Sequence, residues 1–385
     1  MGKSRVFVSK CESYSAVKVK ESVKGIFAHF GGAASLFRKG GRIAVKVNLL
    51  KSSSPEKAVV THPSVAFAVC RELQENGMKP FVIDSTYVGN DYNSETLKKV
   101  YDGCGYLEIF KNSGIELNYD TGVSSVKVPK GRFVKYVEII TPITKADAVI
   151  SLAKGKTHGF TFISASVKNL FGVIPGIVKG GFHSRLRNID NFSGMLVDLA
   201  EFIKPKFSII DAVTCMEGNG PSDGTPKDVG YLIASDNPFA ADCVFCDMIK
   251  FDYRICPVLA KGEDRGLFSK GDIEITGEYK KIEDFKFPDT FVTADGFVNP
   301  SFLFKTYRLL FKDMLTLKPV INKNCIACGL CVKACPEKAI RIKGKRAKID
   351  YKKCIRCYCC HEGCSNSGIS FHKGLIYRIN KLLKR

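Results

Sequence analysis

Eight cysteines in this 385-residue chain share one spacing. Cys325, Cys328, Cys331 and Cys335, with Pro336 next, are matched by Cys354, Cys357, Cys360 and Cys364. Two runs of C-x2-C-x2-C-x3-C are ligand spacing for two 4Fe-4S clusters, in which three thiolates of a run hold one cluster and the fourth crosses to the other. The expected ligand sets are therefore Cys325, Cys328, Cys331 and Cys364 for one cluster, and Cys354, Cys357, Cys360 and Cys335 for the second. Three thiolates spaced three apart on a tight turn reach three irons of one cube. Gly329 lets the loop pass close to sulfide, and Pro336 fixes the direction in which the chain leaves. Zinc takes four ligands, usually as two separated pairs, and disulfide frameworks belong to short exported chains. Neither calls for duplicated triplets. Cys359 is an extra thiol beside Cys360, and the repeat favours Cys360 as the ligand.

A second group of chemistry-bearing residues recurs at the ends of strand-like runs. Lys46 and Asn48 close R-I-A-V-K-V-N, and Asp84 ends F-V-I-D. Lys154, Lys156, Thr157 and His158 follow A-D-A-V-I-S-L-A at 146–153. Glu217, Gly218, Asn219 and Gly220 come after F-S-I-I-D-A-V at 207–213, and Asp236 comes after G-Y-L-I-A-S at 230–235. Open parallel sheets bind ligands beyond the carboxyl ends of their strands, so these positions predict one cleft rich in Lys, His, Asn and carboxylate. The segment 167–183 adds Lys168 and Asn169 on an expected helix over 160–171. It continues with a glycine-rich loop over 172–181 whose N–H groups would approach an anion, and with Lys179 and His183. Lysines 154, 156, 168 and 179, taken with His158, His183 and Asn169, point to a phosphate or carboxylate ligand. His62, beside Pro63, reads as a helix-start residue as readily as a proton carrier or metal ligand. Cys243, Cys246 and Cys256 read as small core residues. No G-x-x-x-x-G-K-[ST] occurs and no G-x-G-x-x-G follows a strand, so a phosphate loop and dinucleotide binding have no support.

These residues need a scaffold, and the hydrophobic pattern supplies one. Strand-like runs at 6–8, 42–47, 81–84, 146–153, 207–213 and 230–235 alternate with helical spacing at 17–27, 95–101, 194–203 and 238–249. A further helix begins at Thr61-His62-Pro63, with Thr61 as its cap and Gly77 near its end. Residues 125–137 read as a hairpin turning at Lys130-Gly131. The fold class is α/β, a mostly parallel sheet with helices on both faces, beside a small α+β cluster domain. The expected organisation is an α/β domain over 1–290, a linker and apolar connecting helix over 291–318, a cluster domain over 319–373, and a basic tail helix over 374–385.

With 45% hydrophobic residues the chain can bury a core. No apolar leader and no run long enough to span a membrane occurs, so a cytoplasmic protein is expected, in a reducing and anaerobic setting that suits its cysteines. The net charge of +21 is unevenly spread: residues 320–385 hold 16 Lys+Arg against 3 Asp+Glu. Part of that excess offsets cluster charge. The rest, as in R-I-K-G-K-R-A-K at 341–348, offers a face to an acidic soluble redox partner. No basic motif interleaved with aromatics argues for nucleic acid.

The segments V-K-V-N-L-L, T-H-P, S-L-A-K-G-K-T-H-G, V-K-N-L-F-G-V-I-P-G, D-A-V-T-C-M-E-G-N-G-P and A-S-D-N-P-F-A-A-D resemble a bacterial and archaeal family. It is known as domain of unknown function 362 and is often fused to a C-terminal ferredoxin module. The resemblance covers roughly residues 5–255 and, with the cysteine-rich part, nearly the whole chain. It implies an α/β domain beside a two-cluster iron–sulfur domain, and it carries over no activity. Val47 stands where that family commonly has proline before the Asn.

Two function classes follow. One is an electron-transferring oxidoreductase that acts on an anionic ligand, with or without a further cofactor, in the cleft. There Glu217 and Asp84 would position groups or bind a metal. The other is a non-catalytic electron carrier, or a maturation factor that docks a partner. Clusters that only support or regulate a non-redox reaction are a third reading.

Overall fold

The computed structural model describes residues 3–87, 89, 91–290 and 317–372. The expected connecting helix at 301–315 and the tail helix at 374–385 lie outside them. The strands of the larger domain are β1 (Ser4–Lys10), β2 (Arg42–Lys46), β3 (Lys79–Ile83), β4 (Glu116–Leu117), β5 (Val123–Lys127), β6 (Tyr136–Ile140), β7 (Ala148–His158), β8 (Phe162–Ser164), β9 (Phe207–Glu217), β10 (Thr225–Ser235) and β11 (Ile273–Thr276). The main sheet runs β11-β1-β10-β9-β7-β2-β3-β4, with β8 folded back on β7, and β5 and β6 form a separate hairpin. Strands β9, β7, β2, β3 and β4 are mutually parallel; β10 is antiparallel to both β9 and β1.

Both faces of the central strands are buried, so these strands read as continuous apolar runs rather than alternating ones. Along β2 and β3, Ile43, Val45 and Val82 enter one core while Ala44, Phe81 and Ile83 enter the other. The first core is closed by helices Ala16–His29 and Pro63–Glu75, the second by Ile189–Ile203 and Pro238–Met248. This two-sided burial is the helix-covered parallel sheet that the pattern predicts.

Several local expectations are corrected. His62, not Thr61, caps helix Pro63–Glu75, its Nδ1 accepting from the Ser64 N–H at 3.2 Å. The Thr61 hydroxyl instead ties β2 to β7, accepting from the Asn48 N–H and donating to the Leu152 carbonyl. K-G-K-T-H is not a loop after β7 but its continuation. The expected helix over 160–171 divides into β8 and the short helix Ser166–Asn169, and the expected glycine loop is largely helix Gly176–Arg185. Asp236 lies at the opposite end of the strands, paired with Arg5 at 3.0 Å, because β10 runs antiparallel.

The cysteine-rich part builds β12 (Lys318–Ile321), paired with β15 (Ile369–His372), and the hairpin of β13 (Ile340–Lys343) with β14 (Arg346–Ile349). Two short helices, Leu330–Ala334 and Cys359–Glu362, complete it. This is the small α+β unit expected. No helix among the described residues is long and apolar enough to cross a membrane.

Candidate functional site

The carboxyl ends of β2, β3 and β7 open on a cavity. Asn48, Asp84, Lys156, His158, Lys168, Asn169, Lys179 and His183 all line it, with Tyr87, Ser164, Phe171 and Glu362. Lys46 lies beneath this lining, fully buried. Its ammonium is 3.1 Å from an Asp84 oxygen and donates to Asn169 Oδ1 at 3.1 Å and to the Val47 carbonyl at 2.6 Å. Asp84 also accepts from the N–H groups of Leu49 and Ser85, and Asn169 returns a hydrogen bond to the Lys46 carbonyl. This buried pair is therefore fully bonded and serves as the floor.

The remaining lysines lack such a partner. Lys156 donates only to the neutral oxygens of Asn48 (2.7 Å) and Val59 (2.6 Å), and Lys179 to the Thr86 carbonyl. Lys168 rests its ammonium 4.8 Å from the centre of the Phe171 ring. It is placed there because Asp242 accepts the Ser166 and Val167 N–H groups (2.6 and 3.0 Å), fixing the start of its short helix. Removal from water lowers the pKa of all three lysines, that of Lys179 to about 7.

Both histidines of the cleft are held neutral by burial, His183 at a pKa of about 3. His158 Nδ1 accepts from the N–H groups of Phe160 and Thr161, so its Nε2 carries the proton and faces Glu362 Oε1 at 3.3 Å. His183 stacks on Phe192 at 4.4 Å, and its Nδ1 has no hydrogen-bond partner among the described residues. Three lysines with no carboxylate in direct contact, two neutral imidazoles and two amides suit an anionic ligand that brings its own negative charge.

Four candidate residues fall elsewhere. Lys154 pairs with Asp211 at 3.0 Å and with the Tyr14 hydroxyl at 2.6 Å, away from the cavity. A register shift between Lys154 and Lys156, around Gly155, sends the two lysines apart. A Cβ at Gly155 would meet Phe245 and Cys215 at 3.0 and 3.1 Å. Glu217 accepts from the Lys286 N–H at 3.0 Å, and Asn219 bonds Asp289, so both tie the strand end to residues 286–289. His62 stacks on Tyr14 at 3.7 Å, also outside the cleft.

Sequence reasoning missed Glu362, the cleft's acid. It sits among the cysteines on the short helix Cys359–Glu362, and no local pattern ties that helix to the α/β domain. Three contacts hold it there. Tyr87 donates its hydroxyl to the Cys359 carbonyl, Ser222 donates to that of Glu362 (2.6 Å), and Lys51 donates to that of Cys364 (3.0 Å).

The cysteines ring two further cavities. Cys325, Cys328, Cys331 and Cys364 line one, and Cys335, Cys354, Cys357 and Cys360 line the other, joined by Cys359. Among the described residues no three His, Cys, Asp or Glu converge on a single ion. Thiolates standing around a volume suit a cube in which each sulfur binds a different iron. Backbone N–H groups of Ala339, Ala347 and Gly368 point at the sulfurs of Cys335, Cys325 and Cys364 at 3.2, 3.4 and 3.1 Å, as anionic sulfur requires. The residues present fit the group.

Comparison with known proteins agrees with this division. Residues 43–247 match the family described as domain of unknown function (DUF362), and residues 318–365 match the 4Fe-4S dicluster domain. A thylakoid-associated protein of Synechocystis sp. is 32% identical over 269 residues, 68% of this chain and 79% of that protein. A ferredoxin-like protein in the nif region of Sinorhizobium fredii is 45% identical over 38 residues, 10% of this chain and 59% of that one. Among solved structures, the lactate racemase apoprotein of Thermoanaerobacterium thermosaccharolyticum aligns with a TM-score of 0.40 at 14% identity. That alignment covers 64% of this chain and 56% of the racemase.

Proposed function

This chain belongs to the family described as domain of unknown function DUF362 and carries a 4Fe-4S dicluster domain. On that premise we propose that it is an oxidoreductase, passing electrons between two 4Fe-4S clusters and a small anionic molecule held in the lysine-rich cleft. The observation that carries the reading is a common wall. Glu362 lines the cleft, while Cys360 and Cys364, on either side of it in sequence, line the two cysteine cavities. When bound, the clusters supply one-electron steps. The chain's own residues do the rest: Lys156, Lys168 and Lys179 hold the anion, and Asn48 and Asn169 orient it. Tyr87 and Phe171 narrow the access of water. Burial leaves His158 and His183 neutral without a bound anion; an anion beside them favours their charged form, so they then hold and deliver the proton that accompanies reduction at such a site. A soluble redox partner and a cytoplasmic location belong to the same reading.

The test is native purification without oxygen, followed by mass spectrometry of whatever the cleft releases. The reduced protein is then mixed with candidate anions while cluster oxidation is followed optically. Turnover is expected with the released compound, falling about a hundredfold or more in Lys156→Met and His158→Gln. Unchanged turnover in both variants sinks the site assignment. Cluster oxidation by carrier proteins with no anion bound in the cleft favours the non-catalytic carrier instead.

A further inference from the structure

The two cysteine cavities differ in what surrounds them. Cys328, in the first set, is exposed, whereas Cys360 of the second is 8% exposed and its neighbour Cys359 is fully buried. Cys359, with Cys357 beside it, packs against Tyr87 and Leu50 of the α/β domain. The second cavity thus lies toward the cleft and the first toward solvent.

The solvent side carries a distinctive surface. Ile326, between Cys325 and Cys328, is 62% exposed, and Ile342 on β13 is 41% exposed. The β13–β14 hairpin reaches the first cavity through Ala347, which lines it and whose N–H points at Cys325 Sγ. Arg341, Lys343, Lys345, Arg346 and Lys348 of this hairpin are all exposed. Some exposed cations elsewhere find carboxylates, as in Arg42–Glu116 at 3.0 Å and Lys99–Glu95 at 2.7 Å. These five pair with none among the described residues, and the nearest acid in sequence, Asp350, accepts from the Lys352 N–H.

We propose that this face, the hairpin with Ile326 and Cys328, docks a separate acidic one-electron carrier protein. Electrons then enter at the cavity of Cys325, Cys328, Cys331 and Cys364 and leave toward the cleft past that of Cys335, Cys354, Cys357 and Cys360. The carrier loses one electron and the outer cluster gains it; no bond is made or broken. Transient redox complexes use small faces, steered by opposite charge and centred on a few apolar contacts, which is what the hairpin and the two isoleucines provide. Single-stranded nucleic acid is disfavoured, because its binding surfaces stack bases on aromatic rings and the centre here is aliphatic. Only the exit step rests on the cleft reading above; entry is measured with no cleft ligand present.

The test uses the anaerobically purified holoprotein and a flavodoxin of net negative charge. Calorimetric titration with oxidised flavodoxin is expected to give binding that weakens as salt rises. It should weaken about tenfold or more in the triple variant Arg341→Glu/Lys343→Glu/Lys345→Glu, and in the single variant Ile326→Glu. Stopped-flow reduction by reduced flavodoxin should slow in parallel. Reduction by the small methyl viologen radical should keep its wild-type rate, which shows that the clusters are intact. Lys98→Glu/Lys111→Glu, on exposed positions of the α/β domain, should bind flavodoxin as wild type does. The proposal is overturned if the triple variant binds like wild type or if the Lys98/Lys111 pair weakens binding equally. It also falls if the variants lose viologen and flavodoxin reduction together, or if a short DNA binds the hairpin more tightly than flavodoxin does. None of these outcomes depends on turnover of an anion.

Discussion

Lys179 shows how the cleft is tuned at the level of one side chain. Burial drives its pKa down to about 7; Asp84 and Glu362 pull it up, while Lys46 and Lys168 push it further down. In the unfolded chain the same amine titrates near 10.5. Between these values the unfolded chain holds a proton that the folded chain lacks, so this group makes unfolding costlier as pH rises through that window. Lys179→Met removes the effect. The variant should be more resistant to urea than wild type near pH 7, with the difference shrinking by about 1.4 kcal/mol per pH unit toward pH 10. A difference constant across that range means the amine is charged in the fold. Anion affinity of the wild type should fall as pH rises through about 7, measured by titration of the released ligand. Lys156 was legible in sequence because it follows a strand-like run, whereas Lys168 and Lys179 stood out by their place in the glycine-rich segment 167–183. Lys154 was legible as a residue but not in its direction, since a register shift against β9 separates it from Lys156 and leaves no compositional trace.

Among elements, the turn after helix Ser166–Asn169 matters most. Gly172 passes so close to the buried pair that an added Cβ would overlap Lys46 and the Asp84 carboxylate. Gly172→Ala should therefore cost about 1–3 kcal/mol, read from the urea midpoint, and weaken anion binding. Gly181→Ala should leave both unchanged or slightly improved, because its added carbon meets nothing closer than 4.0 Å in a helix. Equal loss in the two variants means that helix, not floor, is being probed. The parallel strands were readable because burial on both faces makes them apolar throughout. The segment 160–171 was misread because F-T-F-I-S-A-S-V-K-N-L-F has helical spacing, yet its first half pairs with the end of β7, at Lys156↔Ser164 through His158↔Phe162. Tertiary pairing overrode local pattern, as β-propensity readily does.

For the whole molecule, the crossed cysteine spacing makes a sharp prediction. Cys335 lies in the first run but lines the second cavity. Cys335→Ser should cost the protein the cluster of Cys354, Cys357 and Cys360 while sparing the other, so iron content falls by about half and one paramagnetic signal of the reduced protein persists. Loss of the cluster at Cys325, Cys328 and Cys331 instead refutes the crossing. The two-part organisation was evident in the sequence, but the seam between the parts was not, because Tyr87, Lys51 and Ser222 meet cysteine-loop carbonyls from distant positions. That seam has a consequence for assembly. The peptide that supplies one wall of the cleft is also the peptide that the cysteines anchor, so the binding chamber is finished only when its electron source is installed. An apoprotein with a loose 357–364 segment would present an unwalled cleft, and the molecule thereby ties readiness for its ligand to the completeness of its wiring.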